Sequence, residues 1–128
     1  MFLPPASPEV LARLERLDVQ FDVAGVDPFG THRETLARAL TLLGWFHDHY
    51  FRVTVEGQSH VPPEGRVMLV GNHAGGYSID AFMMLAACFQ DLERPRLAHA
   101  MADRFVARLP FLAELATKLG QLTGLPEH

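Results

Sequence analysis

The sequence predicts an α/β fold in which N-terminal helices pack on a mostly parallel or mixed sheet with βα units. The 128 residues are 48% apolar and 20% charged, which is the balance of a globular domain long enough to bury a core. Segments with helical spacing of apolar residues alternate along the chain with short strand-like segments, as in α/β layer architectures. We expect residues 1–30 to form an N-terminal helix and linker, followed by one domain over residues 31–128.

Two helices are predicted in the first fifty residues. Ser7 is a favourable N-cap residue and Pro8 stands at the first helical position, followed by an apolar stripe. Thr31 and Glu34 form a capping-box pattern that opens a second helix running to about Tyr50. The second helix is strongly apolar and ends in aromatic residues. It is therefore either a core helix or an element that lies on a membrane interface.

Strands and helices alternate in the rest of the chain. Phe51–Glu56 alternates apolar and polar residues as a half-buried strand does. Val67–Val70 is a short unbroken apolar run, typical of a central parallel strand buried on both faces. An apolar helix is expected over Ala81–Phe89, with its methionines and Phe82 in the core. Two further short strands are expected, over Arg96–Met101 and within Gly120–Gly124. A helix with a break at Pro110 is expected between them, over Asp103–Leu119.

Composition and spacing exclude several classes of partner and site. With a formal net charge of −4 and scattered Lys and Arg residues, the chain lacks the basic surface of a nucleic-acid-binding protein. The single cysteine, Cys88, forms no internal disulfide and suits a reducing, cytoplasmic compartment. His99 and Asp103 have no third ligand nearby in sequence, and His47 and His49 diverge on a helix. No metal site and no bound cofactor are therefore expected.

The stretch GNHAGGYSID, residues Gly71–Asp80, carries the candidate chemistry. His73 stands just past the carboxyl end of a predicted strand, where ligand sites of open α/β sheets lie. Gly75 and Gly76 allow a sharp turn, and Asp80 either starts the next helix or reaches back to His73. A carboxylate that accepts from one ring nitrogen fixes the histidine tautomer and leaves the other nitrogen as a base. From spacing alone, a structural and a catalytic role for the pair remain equally open.

The residues before this stretch carry a more specific pattern. The run from Val55 to His73 matches V-x-G-x-x-x-[VI]-P-x-x-G-x-V-x-L-V-x-N-H, and it resembles the first block of the glycerolipid (lysophosphatidic acid) acyltransferase family. The DPFG of Asp27–Gly30 and the segment Leu109–Glu127 are similar to parts of a bacterial branch of that family. The resemblance covers residues 26 to 127, so residues 31–128 are expected to be the N-terminal part of an acyltransferase domain.

The resemblance implies a function and a set of roles. His73 would be the general base and Asp80 the residue that orients it. Acyl-CoA or acyl carrier protein would be the thioester donor, acting as co-substrate, and a glycerolipid hydroxyl of the lysophospholipid type would be the acceptor. The hydroxyl would attack the thioester directly, without a covalent acyl-enzyme. The substrate-binding residues would be Asn72, Gly75, Gly76 and Ser78. Phe82, Met83 and Met84 would either pack in the core, which is the default, or line an acyl-chain groove.

Two departures from the family pattern leave alternatives open. Six residues separate His73 from Asp80, where the common pattern has four, and the family's later arginine and Glu-Gly blocks have no counterpart before His128. We therefore also expect the sequence to be truncated. The alternatives are an inactive fragment or pseudoenzyme, an acyl-thioester hydrolase, and a lipid-binding module. As an enzyme, the protein is expected peripherally on the cytoplasmic face of the inner membrane, with Thr31–Phe51 as the membrane-facing helix.

Overall fold

The computed structural model of the protein describes residues 3–74, 78–102, 108 and 110–123. Four α-helices lie in this part of the chain: α1 Pro8–Leu14, α2 Arg33–Trp45, α3 Ile79–Gln90 and α4 Leu112–Lys118. A π-helical turn, Phe46–Tyr50, continues α2, and a 3-10 turn covers Gln58–His60. Two short strands are present, β1 Met101–Ala102 and β2 Leu122–Thr123.

The first helix begins as its sequence predicts. The Ser7 hydroxyl accepts a hydrogen bond from the Val10 N–H at 3.2 Å, and Pro8 occupies the first turn, where no N–H is needed. Arg13, in the last turn, donates to the carbonyl oxygens of Phe89 at 2.8 Å and Leu92 at 2.6 Å. The N-cap prediction is confirmed, and α1 is tied to the C-terminal end of α3.

The capping box predicted at Thr31 is wrong, because an earlier carboxylate takes over the turn. Asp27 is buried, and its Oδ1 accepts from the N–H groups of both Phe29 and Thr31 at 2.8 Å. These bonds hold Thr31 in the loop as part of an Asx turn. The helix starts two residues later at Arg33, with His32 as its N-cap. The buried Thr31 hydroxyl has no hydrogen-bond partner among the described residues.

One apolar core joins α1, α2, α3 and the end of α4. Its centre is the inner face of α2, where Leu36 is fully buried and Leu40 is 2% exposed. Phe89 of α3 is 2% exposed in the same cluster. The core interpretation of the apolar second helix is therefore confirmed for α2. The buried members of the cluster are Leu14, Leu17, Leu36, Ala37, Ala39, Leu40, Leu85, Phe89 and Leu119.

The described sheet is one parallel pair of strands. Met101 pairs with Leu122 and Ala102 with Thr123, and α4 lies between the two strands in the chain. This β1–α4–β2 unit confirms the strand expected within Gly120–Gly124. Of the strand predicted over Arg96–Met101, only Met101 lies in a strand, and residues 96–100 have no strand structure. The larger mostly parallel or mixed sheet is not confirmed within the described residues.

The strand predictions for Phe51–Glu56 and Val67–Val70 are wrong in this structure. Neither segment has strand structure, and the four side chains of Val67–Val70 are 38%, 85%, 44% and 87% exposed. A strand exists only through its partner, and the Val53 N–H instead donates to the carbonyl of His47 at 2.8 Å. Within the part of the chain that the structure describes, no helix is long and apolar enough to cross a membrane.

The core can be tested with two leucine substitutions. Leu36→Ala should reduce the free energy of unfolding by about 2–5 kcal/mol, because the removed side chain is fully buried and leaves a cavity. Leu11→Ala, at a leucine that is 38% exposed on α1, is the matched control and should cost less than about 1 kcal/mol. Urea unfolding followed by circular dichroism measures both, and equal losses would contradict this description of the core.

Candidate active site

The candidate site lies where the chain enters α3. His73 follows the Val67–Val70 segment, and Asp80 lies in the first turn of the helix. Ser78, the N-cap residue, has φ 56° and ψ 32°, a left-handed conformation that is unfavourable for a residue with a Cβ. Its carbonyl accepts from the Phe82 N–H at 3.1 Å, so helical hydrogen bonding starts directly at this residue. The left-handed residue turns the chain sharply just before the carboxylate.

The structure brings the two predicted catalytic side chains into contact. His73 Nδ1 lies 2.9 Å from Asp80 Oδ2 and 3.1 Å from Asp80 Oδ1. The two extra residues in the loop therefore do not separate the pair. The His73 side chain is 57% exposed, and that of Asp80 is 35% exposed. The contact is present as expected, while the catalytic roles of the two residues stay a prediction.

Backbone N–H groups fix the carboxylate independently of the histidine. The Ala74 N–H donates to Asp80 Oδ2 at 2.9 Å, and the Ala81 N–H donates to Oδ1 at 2.8 Å. The bond from Ala74 is the largest cause that lowers the pKa of Asp80; partial desolvation opposes it, and Ala81 and His73 lower the pKa further. An ionised carboxylate accepts from Nδ1–H of His73, which leaves Nε2 as the proton-accepting nitrogen.

The predicted substrate-binding residues are placed in part. Asn72 is exposed directly before His73, and Ser78 is half-buried at the start of α3. Gly75 and Gly76 lie outside the described residues. The structure brings Asn72 and Ser78 to the same end of α3 as the His73–Asp80 pair, and their substrate-binding role stays a prediction.

Three apolar side chains of α3 that are close to Asp80 in the chain are exposed. Ile79, Phe82 and Met84 on α3 are 45%, 37% and 43% exposed, whereas Met83 is buried. Core packing, the default expectation, is correct for Met83 and wrong for Phe82 and Met84, while the acyl-chain groove stays a prediction. The helix is apolar along its whole length, so its sequence does not show which residues face the core. The core contacts lie mainly in its C-terminal half. We name Ile79, Phe82 and Met84 the α3 apolar surface.

His99 and Cys88, the other residues considered as functional candidates, lie in surroundings that favour a structural role. His99 Nδ1 lies 2.5 Å from the carbonyl oxygen of Gly120, which links the segment before β1 to the end of α4. Burial raises the pKa of the Cys88 thiol, so this cysteine is unsuited to act as a nucleophile. Among the described residues, no three His, Cys, Asp or Glu side chains are grouped so that they could hold a metal ion.

The ionisation of Asp80 is directly measurable. Its carboxyl carbon, followed by NMR across acidic pH, should titrate with a midpoint below the ordinary value of 3.8. A carboxyl whose pKa is lowered on folding stabilises the fold above its ordinary pKa, and this contribution disappears as the pH falls through the folded value.

The matched variant is His73→Ala. Its midpoint should stay below 3.8, because the Ala74 N–H bond, the largest cause, remains in place. A midpoint at or above 3.8 in the unaltered protein, or a return to 3.8 in His73→Ala, would contradict this account of the carboxylate.

Comparison with known proteins found relatives that are similar to most of this chain. Uncharacterized proteins of Mycobacterium bovis and Mycobacterium tuberculosis are each 32% identical to the chain over 103 residues, covering 80% of this chain and 28% of the relative. A Mycobacterium leprae uncharacterized protein is 29% identical over 103 residues, covering 80% of this chain and 27% of the relative. The chain thus spans less than a third of the length of these relatives. No solved structure matches the chain significantly.

The family assignment rests on a match over a long stretch of sequence and not on the His73–Asp80 pair alone. The sequence model of the family described as Acyltransferase matches residues 52–123, more than half of the chain, and this match includes the whole candidate site. The chain therefore belongs to the acyltransferase family, the glycerolipid acyltransferase family that the Val55–His73 pattern resembles.

Proposed function

We propose that the protein transfers a fatty acyl group from acyl-CoA or acyl carrier protein to a glycerolipid hydroxyl of the lysophospholipid type. The observation that carries this proposal is the His73–Asp80 contact at 2.9 Å, inside the region that matches the family. The orienting carboxylate and the exposed imidazole are what a general base for a substrate hydroxyl requires.

The geometry suits a direct transfer. His73 Nε2 removes the proton from the acceptor hydroxyl while its oxygen attacks the thioester carbonyl carbon. A C–O ester bond forms and the C–S bond breaks, so the donor leaves as a thiolate. The proton held on His73 passes to this sulfur, which returns the imidazole to its neutral form. Asp80 stabilises the imidazolium between these two steps.

The surroundings of the pair support an acyl substrate. The α3 apolar surface is exposed beside Asp80, and Met68 and Val70, which precede the histidine, are 85% and 87% exposed. Exposed apolar side chains that are close in the chain to a His–Asp pair favour a ligand that combines a hydrocarbon chain with a polar reacting end.

A second candidate function is hydrolysis of the acyl thioester. The His73 side chain is 57% exposed, so water can reach the base as readily as a lipid hydroxyl. Hydrolysis would use the same proton removal, with water as the attacking group. The acceptor dependence of product formation separates the two reactions.

The transfer reaction is tested with labelled acyl-CoA and a lysophospholipid. His73→Ala should lower the rate of ester formation by about 10²–10⁴-fold, the usual contribution of general base catalysis. His60→Ala, at an exposed histidine on the 3-10 turn, is the control and should leave the rate unchanged.

The outcomes are distinct. Acylated lipid that forms only with acceptor supports transfer, and free acid at the same rate with and without acceptor supports hydrolysis. Transfer at an unchanged rate in His73→Ala contradicts the mechanism. Absence of any thioester turnover in the unaltered chain supports the inactive fragment.

We also propose that an aromatic cluster at the end of α2 binds the cytoplasmic face of the membrane. The cluster consists of Trp45, Phe46, Tyr50 and Phe51, with ring centroids 4.9–6.2 Å apart along the chain of contacts. Trp45, Tyr50 and Phe51 are 51%, 66% and 40% exposed. Exposed tryptophan and tyrosine rings are suited to the boundary between headgroups and acyl chains.

Trp45 is the single tryptophan of the chain and therefore reports on this contact. Its fluorescence should shift to shorter wavelength when phospholipid vesicles are added. A Tyr50→Ser, Phe51→Ser double variant should weaken the apparent vesicle affinity by about tenfold or more, since about 1.4 kcal/mol of lost apolar contact has that effect. Val23→Ser, at an exposed valine in the first loop, is the control and should bind as the unaltered protein does. An unshifted Trp45 spectrum would overturn the membrane proposal.

A further inference from the structure

A second histidine lies buried between carboxylates, away from the candidate site. His47, in the π-helical turn after α2, is 2% exposed. Its Nδ1 lies 2.8 Å from Asp48 Oδ1, and its Nε2 lies 3.0 Å from Asp91 Oδ2. Asp91 is the C-cap residue of α3. One imidazole ring therefore contacts both its own turn and the end of a second helix.

Gln90 completes this arrangement from α3. Its Nε2 donates to Asp48 Oδ1 at 2.8 Å and lies 2.9 Å from His47 Nδ1. Gln90 packs closely on α2 here, since a Cβ at Gly44 would stand 2.8 Å from Gln90 Oε1 and the amide would have to shift. We name His47, Asp48, Gln90 and Asp91 the His47 junction.

The first helix holds the same end of α3 from another side. Arg13 donates to the Phe89 and Leu92 carbonyls, which flank the junction in the chain. Burial lowers the pKa of the Arg13 guanidinium, the Arg16 charge lowers it further, and the Asp91 charge opposes both effects. Asp91 is thus close enough to act on a cation of α1 as well as on His47.

The junction is an unusual way to pack two helices. His47 Nε2 and Asp91 Oδ2 are buried, and neither has a well-aligned hydrogen bond among the described residues. Their contact at 3.0 Å is therefore a close polar contact of poor alignment. Replacing a buried polar pair of this kind by apolar packing is often neutral or stabilising, so stability alone does not account for the junction. The π-helical turn that directs His47 toward α3 is itself rare and is frequent at functional sites.

We propose that His47 is a positioning residue that fixes the C-terminal end of α3 and thereby places Asp80 against His73. Asp80 lies in the first turn of α3, and Gln90 and Asp91 lie at its other end. A helix of 12 residues is about 18 Å long and moves as a unit. A displacement of the anchored end therefore changes where the carboxylate at the other end meets the imidazole.

The proposal rests on the proposed function only in giving the His73–Asp80 pair a catalytic task, so its test uses no turnover. NMR on the ¹⁵N-labelled full chain follows the Ala74 amide, which donates to Asp80, and the ring nitrogens of His73. The variant is His47→Gln. The matched control is His49→Gln, at an exposed histidine in the same π-helical turn. Methyl signals of the buried Leu36 report whether the core remains folded.

The expected result is specific to the candidate site. In His47→Gln, the Ala74 amide proton should shift upfield and the two His73 ring nitrogens should become more alike, while the Leu36 methyl signals persist. In His49→Gln, all these signals should stay unchanged. A folded His47→Gln protein with unaltered Ala74 and His73 signals would overturn the proposal.

A second variant covers the case in which His47→Gln fails to fold. Asp91→Asn changes only the partner on α3, whose side chain is 27% exposed, and is therefore the milder substitution. It should produce the same shifts at Ala74 and His73, and a folded Asp91→Asn protein without them would equally overturn the proposal. If His73→Ala leaves transfer unchanged while these shifts occur, the proposed function fails and the positioning role of His47 stands.

Discussion

The packing of α3 against the inner face of α2 holds in place the polar groups at both ends of α3. Leu85 and Phe89 of α3 lie in one buried cluster with Leu36 and Leu40 of α2. Burial of side chains of this size stabilises the contact by about 1.5–3 kcal/mol each. Because a helix is a rigid element, this apolar contact limits where the groups at its two ends can lie. The carboxylate at the N-terminal end and the His47 junction at the C-terminal end both depend on it.

The elements that the sequence predicts correctly depend on local chemistry. The Ser7 N-cap, the helix α3 and the β2 strand each follow from a few neighbouring residues, and so does the possibility that Asp80 reaches back to His73. The capping box at Thr31 is wrong because Asp27 competes for the same backbone N–H group. A local pattern identifies a favourable arrangement, but it does not show which of two neighbouring side chains takes the hydrogen bond.

The features that the sequence does not reveal depend on distant partners. Val67–Val70 has the composition of a buried strand, yet its burial needs neighbouring strands, and the described residues supply none. His47 attracts attention only as a poor metal ligand, because its contact with Gln90 spans 43 positions of the chain. The π-helical turn also redirects the histidine relative to an α-helix, which periodicity of 3.6 residues does not anticipate.

His73 and Asp80 are in contact although two more residues separate them than in the common family pattern. Six intervening residues make a longer loop, and the left-handed Ser78 returns the chain so that the carboxylate still reaches the imidazole. The Ala74 N–H then anchors Asp80 from within the loop. The carboxylate is therefore held by backbone N–H groups as well as by His73, so in the proposed mechanism it stays in place when His73 takes up a proton. Such preorganisation avoids reorganising the site when charge develops on the imidazole.

The exposure of the His73–Asp80 pair to solvent bears on how strongly the carboxylate acts on the imidazole in the proposed function. In water, the attraction between an imidazolium and a carboxylate is strongly screened, since solvent dielectric reduces the interaction. The exposed side chains of the α3 apolar surface, and those of Met68 and Val70 before the histidine, lie close to the pair in the chain. In the proposed function, an acyl chain that covers these side chains would remove water from around His73 and strengthen its interaction with Asp80. The proposed substrate would then supply the reacting carbonyl and also complete the low-dielectric environment of His73.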